Sequence, residues 1–392
     1  MPEPVPYPFN SPTGLDLAPA YERAQCTGGL PWVRLPFGEP AWLVTRHADA
    51  RFVLGDARFG RAASLERDSP RVTPQKPLGI VAMDPPGHTR LRRLVTGAFT
   101  RARVERLRSR IRSAVDHAVD DLTAAGAPSD LVEHVALPVP ITVICELLGV
   151  PAGDRDRFRR WSEAVLSTSG LTPEEAAQST GELTRYMAGL AESRRAEPGD
   201  DLISALVRAE DQGESLSPRE LVELCIAILV GGYETTASEI ANFAWVLLTE
   251  HPDQLDRVRA EPDHAAPLVE ELLRGVPMAA AAAMPRYATE DVEVGGQLVR
   301  AGEPVLVAIG AANRDPGRYP GPARIDPARD SAGHLAFGHG IHHCLGAPLA
   351  RAELQETVRV LARRLPGLRL DGPVRWKSAM FFRGPAALPV AW

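Results

Sequence analysis

Apolar residues recur every three or four positions over Ala102 to Leu122, Pro173 to Arg194 and Leu349 to Leu365, the spacing that lines one face of a helix. Strand-like runs are short and gather in two places, Trp32 to Thr45 and Asp291 to Val307. Proline and glycine punctuate the joints, as at Pro36, Pro40, Pro151, Pro252, Pro277 and Pro304. The pattern predicts a mostly α protein, a large helical domain around a long central helix with small peripheral β-sheets. No low-complexity linker interrupts it, so residues 1–392 are expected to form a single domain.

The longest predicted element begins at Ser217-Pro218-Arg219-Glu220, a capping box with proline in the first turn, and its apolar rhythm continues to His251-Pro252. That is about 34 residues, or ~50 Å at the helical rise. Its interior reads Gly231-Gly232-Tyr233-Glu234-Thr235-Thr236. Two glycines inside a helix cost roughly 1 kcal/mol each against alanine. Close packing against a neighbour, or a ligand lying on that face, is the expected compensation.

Composition narrows the class. Hydrophobic residues make up 44% and charged residues 24%, as in a soluble globular protein, and the net charge of -6 argues against nucleic acid as a partner. Among 44 basic residues only Lys76 and Lys377 are lysines, so any cationic docking face is built from arginine. The N-terminus has neither a charged n-region nor an apolar h-region, and no uninterrupted apolar run approaches ~18 residues, so neither a secretory signal nor a membrane span is expected. Four scattered cysteines imply no disulfide framework and fit the cytoplasm. Cys145 and Cys225 sit in apolar helical runs, where a free cysteine packs as a small hydrophobe. Cys26 has no ligand partners nearby.

The remaining cysteine stands apart. Phe337-Gly338-His339-Gly340-Ile341-His342-His343-Cys344-Leu345-Gly346-Ala347 places Cys344 between glycines and just before a helix with Pro348 in its first turn. Glycines let backbone approach a flat ligand. A helix N-terminus lowers a thiol pKa and favours the thiolate. His334, His339, His342 and His343 crowd the same stretch, so zinc is the alternative ligand, although no second knuckle with paired ligands appears elsewhere.

With Phe337, Gly338, Cys344 and Gly346 at matching places, this stretch resembles the haem-binding loop of the cytochrome P450 family. The resemblance runs from about Trp32 to Val390 and implies that fold, with Cys344 as axial thiolate to a haem b iron. It implies that Phe337, Gly338 and Gly346 frame the cofactor. His88 and Arg92, at i and i+4 in Asp84 to Arg93, together with Arg286 and His342, become the contacts to the haem propionates. Gly231 to Thr236 matches the oxygen-activating stretch. Glu234 and Thr235 there are the acid and alcohol that move protons during O–O cleavage, and the glycines favour a local widening that frees a carbonyl for water. The plain alternative is that Thr235 only bonds the carbonyl one turn back. Tyr233 departs from the family's usual histidine. Glu271-Leu272-Leu273-Arg274 matches a structural Glu-x-x-Arg pair, with Arg324 as its third member and Ile325 in place of an aromatic.

The implied activity is a soluble monooxygenase taking electrons from a ferredoxin and an NAD(P)H-dependent ferredoxin reductase. No flavin or iron-sulfur segment is seen, so the partners are separate, and Arg92, Arg93 and nearby arginines are candidate docking residues. A peroxygenase or a haem-thiolate sensor of the same fold are the alternatives; both are disfavoured by Glu234 and Thr235. Substrate choice is expected from 61–80, 162–179, the face near Ile226 and Val230, the segment after Gly275, and 379–382. Met278-Ala279-Ala280-Ala281-Ala282-Ala283-Met284 places five alanines beside the haem. It suggests either a wide pocket for a large apolar natural product such as a macrolide or polyketide, or packing against protein.

Overall fold

The computed structural model describes residues 3–11, 13–76, 79–211, 216–282 and 284–392. The helix opened by Ser217 runs Pro218–Thr249. Ser217 Oγ accepts from the Glu220 N–H at 3.3 Å, and the Glu220 carboxylate accepts from the Ser217 N–H at 2.9 Å, so the capping box forms as the sequence predicts. This helix packs against Pro138–Leu148, Arg155–Leu166, Pro173–Ala196 and Ala347–Arg364, and is apolar on several faces because it is surrounded. Its first half, through Leu224 and Leu229, builds a core with Leu148, Phe158 and Leu183. Its second half, through Ile240, Phe243 and Leu247, builds another with Leu122, Leu272 and Leu354.

By length and composition this helix, alone among the described residues, could cross a membrane, although polar residues break its apolar run. Two thirds of that window is buried inside the protein, so its apolar surface is already covered.

The other predicted helices appear with small extensions. Arg101–Ala125 starts at Thr100, whose hydroxyl accepts from the Arg103 N–H, and ends at Gly126 with φ 80°. Pro173–Ala196 is opened by a capping box on Thr172 and Glu175. Both strand clusters are present. Trp32–Arg34 and Ala41–Val44 pair antiparallel, and Ala41–Val44 lies parallel to Pro304–Val307. Arg286–Ala288 pairs antiparallel with Pro304–Val307 on one side and with Phe59–Gly60 on the other. That register sets Arg286 one strand in from the edge of a six-stranded sheet. Short strands at Arg369–Leu370, Arg375–Trp376, Pro385–Ala387 and Pro389–Ala391 were not predicted; two or three residues are too few to show a period.

The two glycines of the central helix have different reasons. A Cβ on Gly232 would lie 2.7 Å from Ile144 Cδ1, so this position lets the Pro138–Leu148 helix approach closely. A Cβ on Gly231 would meet nothing within 4 Å. The helix is continuous through both, without the predicted widening, and the Thr235 hydroxyl donates to the Gly231 carbonyl at 2.7 Å, which occupies the oxygen expected to be free. Gly231→Ala should therefore raise stability by about 1 kcal/mol through helix propensity. Gly232→Ala should lower it by about 1–3 kcal/mol through overpacking, with partial recovery in Gly232→Ala/Ile144→Val. Midpoints of denaturant unfolding for the three variants check this; equal effects at the two glycines would contradict it.

Candidate active site

The cysteine loop is shaped by contacts on both sides. Gly340, φ 73°, lies so close to the Gly55 turn that a Cβ would fall 2.3 Å from the Leu54 carbonyl oxygen. The Cys344 N–H donates to the Phe337 carbonyl at 2.8 Å, closing the loop. Ala347–Arg364 begins immediately afterwards, with Gly346 preceding it and Pro348 in its first turn. Arg351 lies over the Phe337 ring, 4.5 Å from its centroid, and donates to Glu270 at 2.6 and 3.0 Å.

The thiol differs from expectation. Desolvation raises its pKa more than the Gly346 and Ala347 backbone N–H groups and Arg92 lower it. A coordinated metal cation would act in the opposite direction and favour the thiolate. Gly346 has φ -81°, so its use here is as an N–H donor to sulfur, not as a turn residue.

Beside the loop lies a chamber of about 220 Å³ lined by Arg61, Arg286, Gly338, Ala281 and His342 among others. Around it His88 Nδ1, His342 Nε2, Arg61 Nε, and Arg286 Nε and Nη2 are buried with no hydrogen-bond partner. The His88 and His342 rings stand 4.2 Å apart. Burial first, then mutual repulsion, holds Arg61 down to about 9 and His342 to about 2. Burial alone takes Arg286 to about 10. Unpartnered nitrogens of one sign call for an anion. The donor set fits the two carboxylates of a porphyrin, and Cys344, in the same loop as His342, is the side chain that would take its metal.

Arg286 and His342 thus line the chamber as expected, and the His88 ring stands against that of His342. Arg92 instead donates to the His343 carbonyl at 2.6 Å, beside the thiol. Arg61, read from sequence only as the start of a substrate loop, joins the chamber because Asp84 accepts from the Arg61 and Ala62 N–H groups and pins that turn. The zinc alternative loses its geometry: among the described residues no three His, Cys, Asp or Glu side chains are placed to hold a metal ion.

The support behind the loop is a buried carboxylate. Glu271 accepts from Arg274 at 2.6 and 2.8 Å, from Ser331 Oγ at 2.5 Å, from the Asp326 N–H at 3.1 Å and from Arg329 at 3.0 Å. Arg274 also donates to the carbonyls of Asn313, Pro322 and Arg324. The predicted third member, Arg324, contributes only that carbonyl, and its guanidinium pairs with Asp326. Arg329 takes the place because its side chain turns inward, 10% exposed against 73% for Arg324.

On the central helix the acid and the alcohol point apart. Thr235 lines a large cavity, whereas Glu234 is buried behind the helix against Lys377 at 2.5 Å. The cavity, about 880 Å³, is bounded by Val72, Leu166, Val230, Phe381 and Phe382, from the segments expected to choose substrate, and also by Val81, Thr235 and the 180–195 stretch of Pro173–Ala196, which were not expected. The alanine run divides. Ala281 and Ala282 line the smaller chamber and pack against Tyr7 and Tyr21, with the Ala282 N–H donating to Tyr7 Oη at 2.7 Å. Met284 alone of the run reaches the large cavity, and Ala283 is outside the described residues.

A mostly helical fold whose cysteine loop walls a chamber bordered by unpartnered arginine and histidine nitrogens defines a protein built to hold an anionic group. The family model for cytochrome P450 matches residues 174–363. The mycinamicin IV hydroxylase/epoxidase of Micromonospora griseorubida is 51% identical over 100% of this chain and 99% of its own, and the nocardicin C N-oxygenase of Nocardia uniformis subsp. tsuyamanensis 48% over 98% of each. The crystal structure of HinD with NMFT and NO superposes with a TM-score of 0.96 at 47% identity, covering 100% of both chains. This chain belongs to the cytochrome P450 family. It is an oxidoreductase of the monooxygenase class, and the family implies a haem-thiolate cofactor.

Removing one partner of the buried Glu271 pair strands Arg274, so Glu271→Ala should cost about 3–5 kcal/mol in denaturant unfolding. Acid should act on the same support. Burial favours protonated Glu270, but bonds from His334 and Arg351 outweigh it and hold its pKa to about 2 against an ordinary 4.5. Its stabilisation is whole above pH ~4.5 and is lost as pH falls towards ~2. Glu271, also below the usual carboxylate range because its bonds outweigh burial, adds in the same direction. Stability measured across that window should fall less steeply in Glu270→Gln than in the parent.

Proposed function

We propose that this chain is a monooxygenase that binds haem b on Cys344 and inserts one oxygen atom from O2 into a large, mostly apolar natural product of macrolide or polyketide type. The observation that carries the reading is a chamber walled by Gly338, His339 and His342 of the cysteine loop and bordered by unpartnered arginine and histidine nitrogens, next to a cavity of about 880 Å³. A cavity of that size suits a large ligand. The relative that hydroxylates and epoxidises mycinamicin IV supports the substrate class. The nocardicin C N-oxygenase, almost as similar, shows how readily the substrate changes within this group.

Bound here, the haem supplies dioxygen activation by two electrons, chemistry that the side chains cannot provide. Cys344 would ligate the iron, with the Gly346 and Ala347 N–H groups stabilising its charge. His88, Arg61, Arg286 and His342 would hold the propionates and so fix the plane of the ring. Phe337 and Gly338 would frame its thiolate side. Thr235, on the cavity wall, holds a hydroxyl that can donate or accept one proton next to the reacting centre, and Glu234 one residue earlier is the acid from which that proton is replenished. Val81, Leu166 and Phe381 exclude water from the substrate.

Electrons would come from a ferredoxin and an NAD(P)H-dependent reductase in the cytoplasm. Arg93, exposed on Gly87–Thr96 close to the thiolate loop, is a docking residue for the acidic partner, and raised salt should slow reduction. Residues 1–392 would act as one haem domain.

The test is a carbon monoxide difference spectrum of the reduced protein, then titration with mycinamicin IV and smaller apolar ligands. The thiolate-type band is expected in the parent and absent in Cys344→His; a parent without the band refutes the reading. In Thr235→Ala, product formed per NAD(P)H should fall by ~10²-fold, the scale of a lost proton-transfer group, while NAD(P)H is still consumed. Full coupling in that variant would remove Thr235 from the mechanism.

A further inference from the structure

Lys377 is one of two lysines in the chain, and it is spent on an interior contact. Its ammonium donates to Glu234 Oε1 at 2.5 Å and to Ser238 Oγ at 2.9 Å, with the lysine side chain 12% and the glutamate side chain 2% exposed. A buried pair of this kind costs desolvation and adds little to stability by itself. Nor does the turn need it as an anchor. The segment 377–384 is tied by backbone bonds, among them Lys377 N–H to Gly384 O, Thr168 N–H to Ala379 O, Ala280 N–H to Phe381 O and Arg383 N–H to Met278 O, all between 2.8 and 3.0 Å.

What the pair does accomplish is directional. Glu234 is drawn to the side of the central helix away from the cavity that Thr235 lines. The other charged or titratable groups coupled to it there are Glu163, Tyr233 and, through Glu163, Arg159. Glu163, on Arg155–Leu166, has its carboxyl pushed up first by burial and then by the Glu234 charge, with Arg159 and Lys377 opposing. Tyr233 Oη is buried without a partner and feels both Glu234 and Glu163. Arg159 pairs with the exposed Glu133 at 3.3 Å. The turn itself reaches the cavity through Phe381 and Phe382. Between these and Lys377 sits Ala379 with φ 58°, a left-handed conformation that a residue with a Cβ adopts at a cost.

We propose that Lys377 is a positioning residue for proton delivery: it holds the Glu234 carboxylate on the outer side of the central helix, towards Glu163, and the 377–384 turn links its release to the cavity wall at Phe381 and Phe382. The proposal rests on the monooxygenase reading above. In the substrate-free enzyme the acid is held away from Thr235, which limits wasteful reduction of dioxygen. Pressure of a ligand on the two phenylalanines acts on the same turn that carries the lysine.

The test is a double-mutant cycle in the holoenzyme, with a plant-type ferredoxin and its NADPH-dependent reductase as electron source and no substrate. Hydrogen peroxide formation and NADPH consumption should rise about tenfold in Lys377→Met, within the reach of a proton-transfer step, and stay near the parent rate in Lys377→Arg. The rise should vanish in Lys377→Met/Glu234→Gln. An unchanged rate in Lys377→Met, or a rise that survives in the double variant, overturns the proposal. Should Lys377→Met not fold, the second measurement is the ¹⁵Nζ resonance of Lys377, left as the single lysine signal by Lys76→Arg. That signal must move in Glu234→Gln and in Phe381→Ala; a signal unmoved by the first overturns the pair, and by the second the link to the wall. A parent protein with no carbon monoxide band refutes the monooxygenase reading, whereas a normal band with flat rates refutes only the role of Lys377.

Discussion

Everything around Cys344 depends on one buried carboxylate. Glu271 has no exposed side-chain surface and accepts from Arg274, Ser331, Arg329 and the Asp326 backbone, joining the Ala265–Gly275 helix to a stretch with no regular structure of its own. Such a stretch cannot satisfy its polar groups by a ladder, so a side chain must do it. Arg274 completes the arrangement by donating to the Asn313 carbonyl, while the Asn313 side chain accepts from the Leu335 N–H at 2.6 Å. Leu335 enters the cysteine loop. The position of the thiol is therefore inherited, through three side chains, from a helix that never touches it.

The chamber shows the opposite condition. Where Glu271 has every lone pair used, His88, His342, Arg61 and Arg286 carry buried nitrogens with nothing to bond. A protein that satisfies one polar cluster so fully and leaves its neighbour so empty is organised for a partner of the missing sign. The haem-thiolate cofactor of the family brings that sign in its carboxylates and brings a cation to the sulfur. The two deficits, unpaired nitrogens around the chamber and a thiol without its metal cation, are resolved by a single group.

How far the sequence could be read follows from how local each cause is. The capping box at Ser217 and Glu220, the helix after Gly346 and the cysteine between glycines are settled by residues within a turn of one another, and they appear as read. Glu271 with Arg274 was legible for the same reason, at i and i+3. Its third cation was not. Arg324 and Arg329 differ only in which way an irregular chain turns, and no periodicity reports that. Arg61 joins the chamber because Asp84, 23 residues away, fixes its backbone. Tyr7 reaches Ala282 across 275 residues, which turned part of an expected open wall into packing. The thiol pKa was misjudged because helix-end amides are visible in a sequence and desolvation is not.

The central helix carries these two scales together. Gly232 exists for Ile144 on a neighbouring helix, a packing need, while Gly231, one residue earlier, meets no neighbour and gives its carbonyl to Thr235. A hydroxyl bonded to its own helix is held in one rotamer, with its second lone pair and its approach direction set in advance. The bond first read as the trivial alternative to a catalytic role is thus also what aims the oxygen at the cavity. Glu234, on the next residue back, points roughly 100° around the helix, where the Lys377 ammonium holds it. The acid and the alcohol are adjacent in sequence and separated in space, so proton traffic between them requires Glu234 to move, and the strength of its hold decides when.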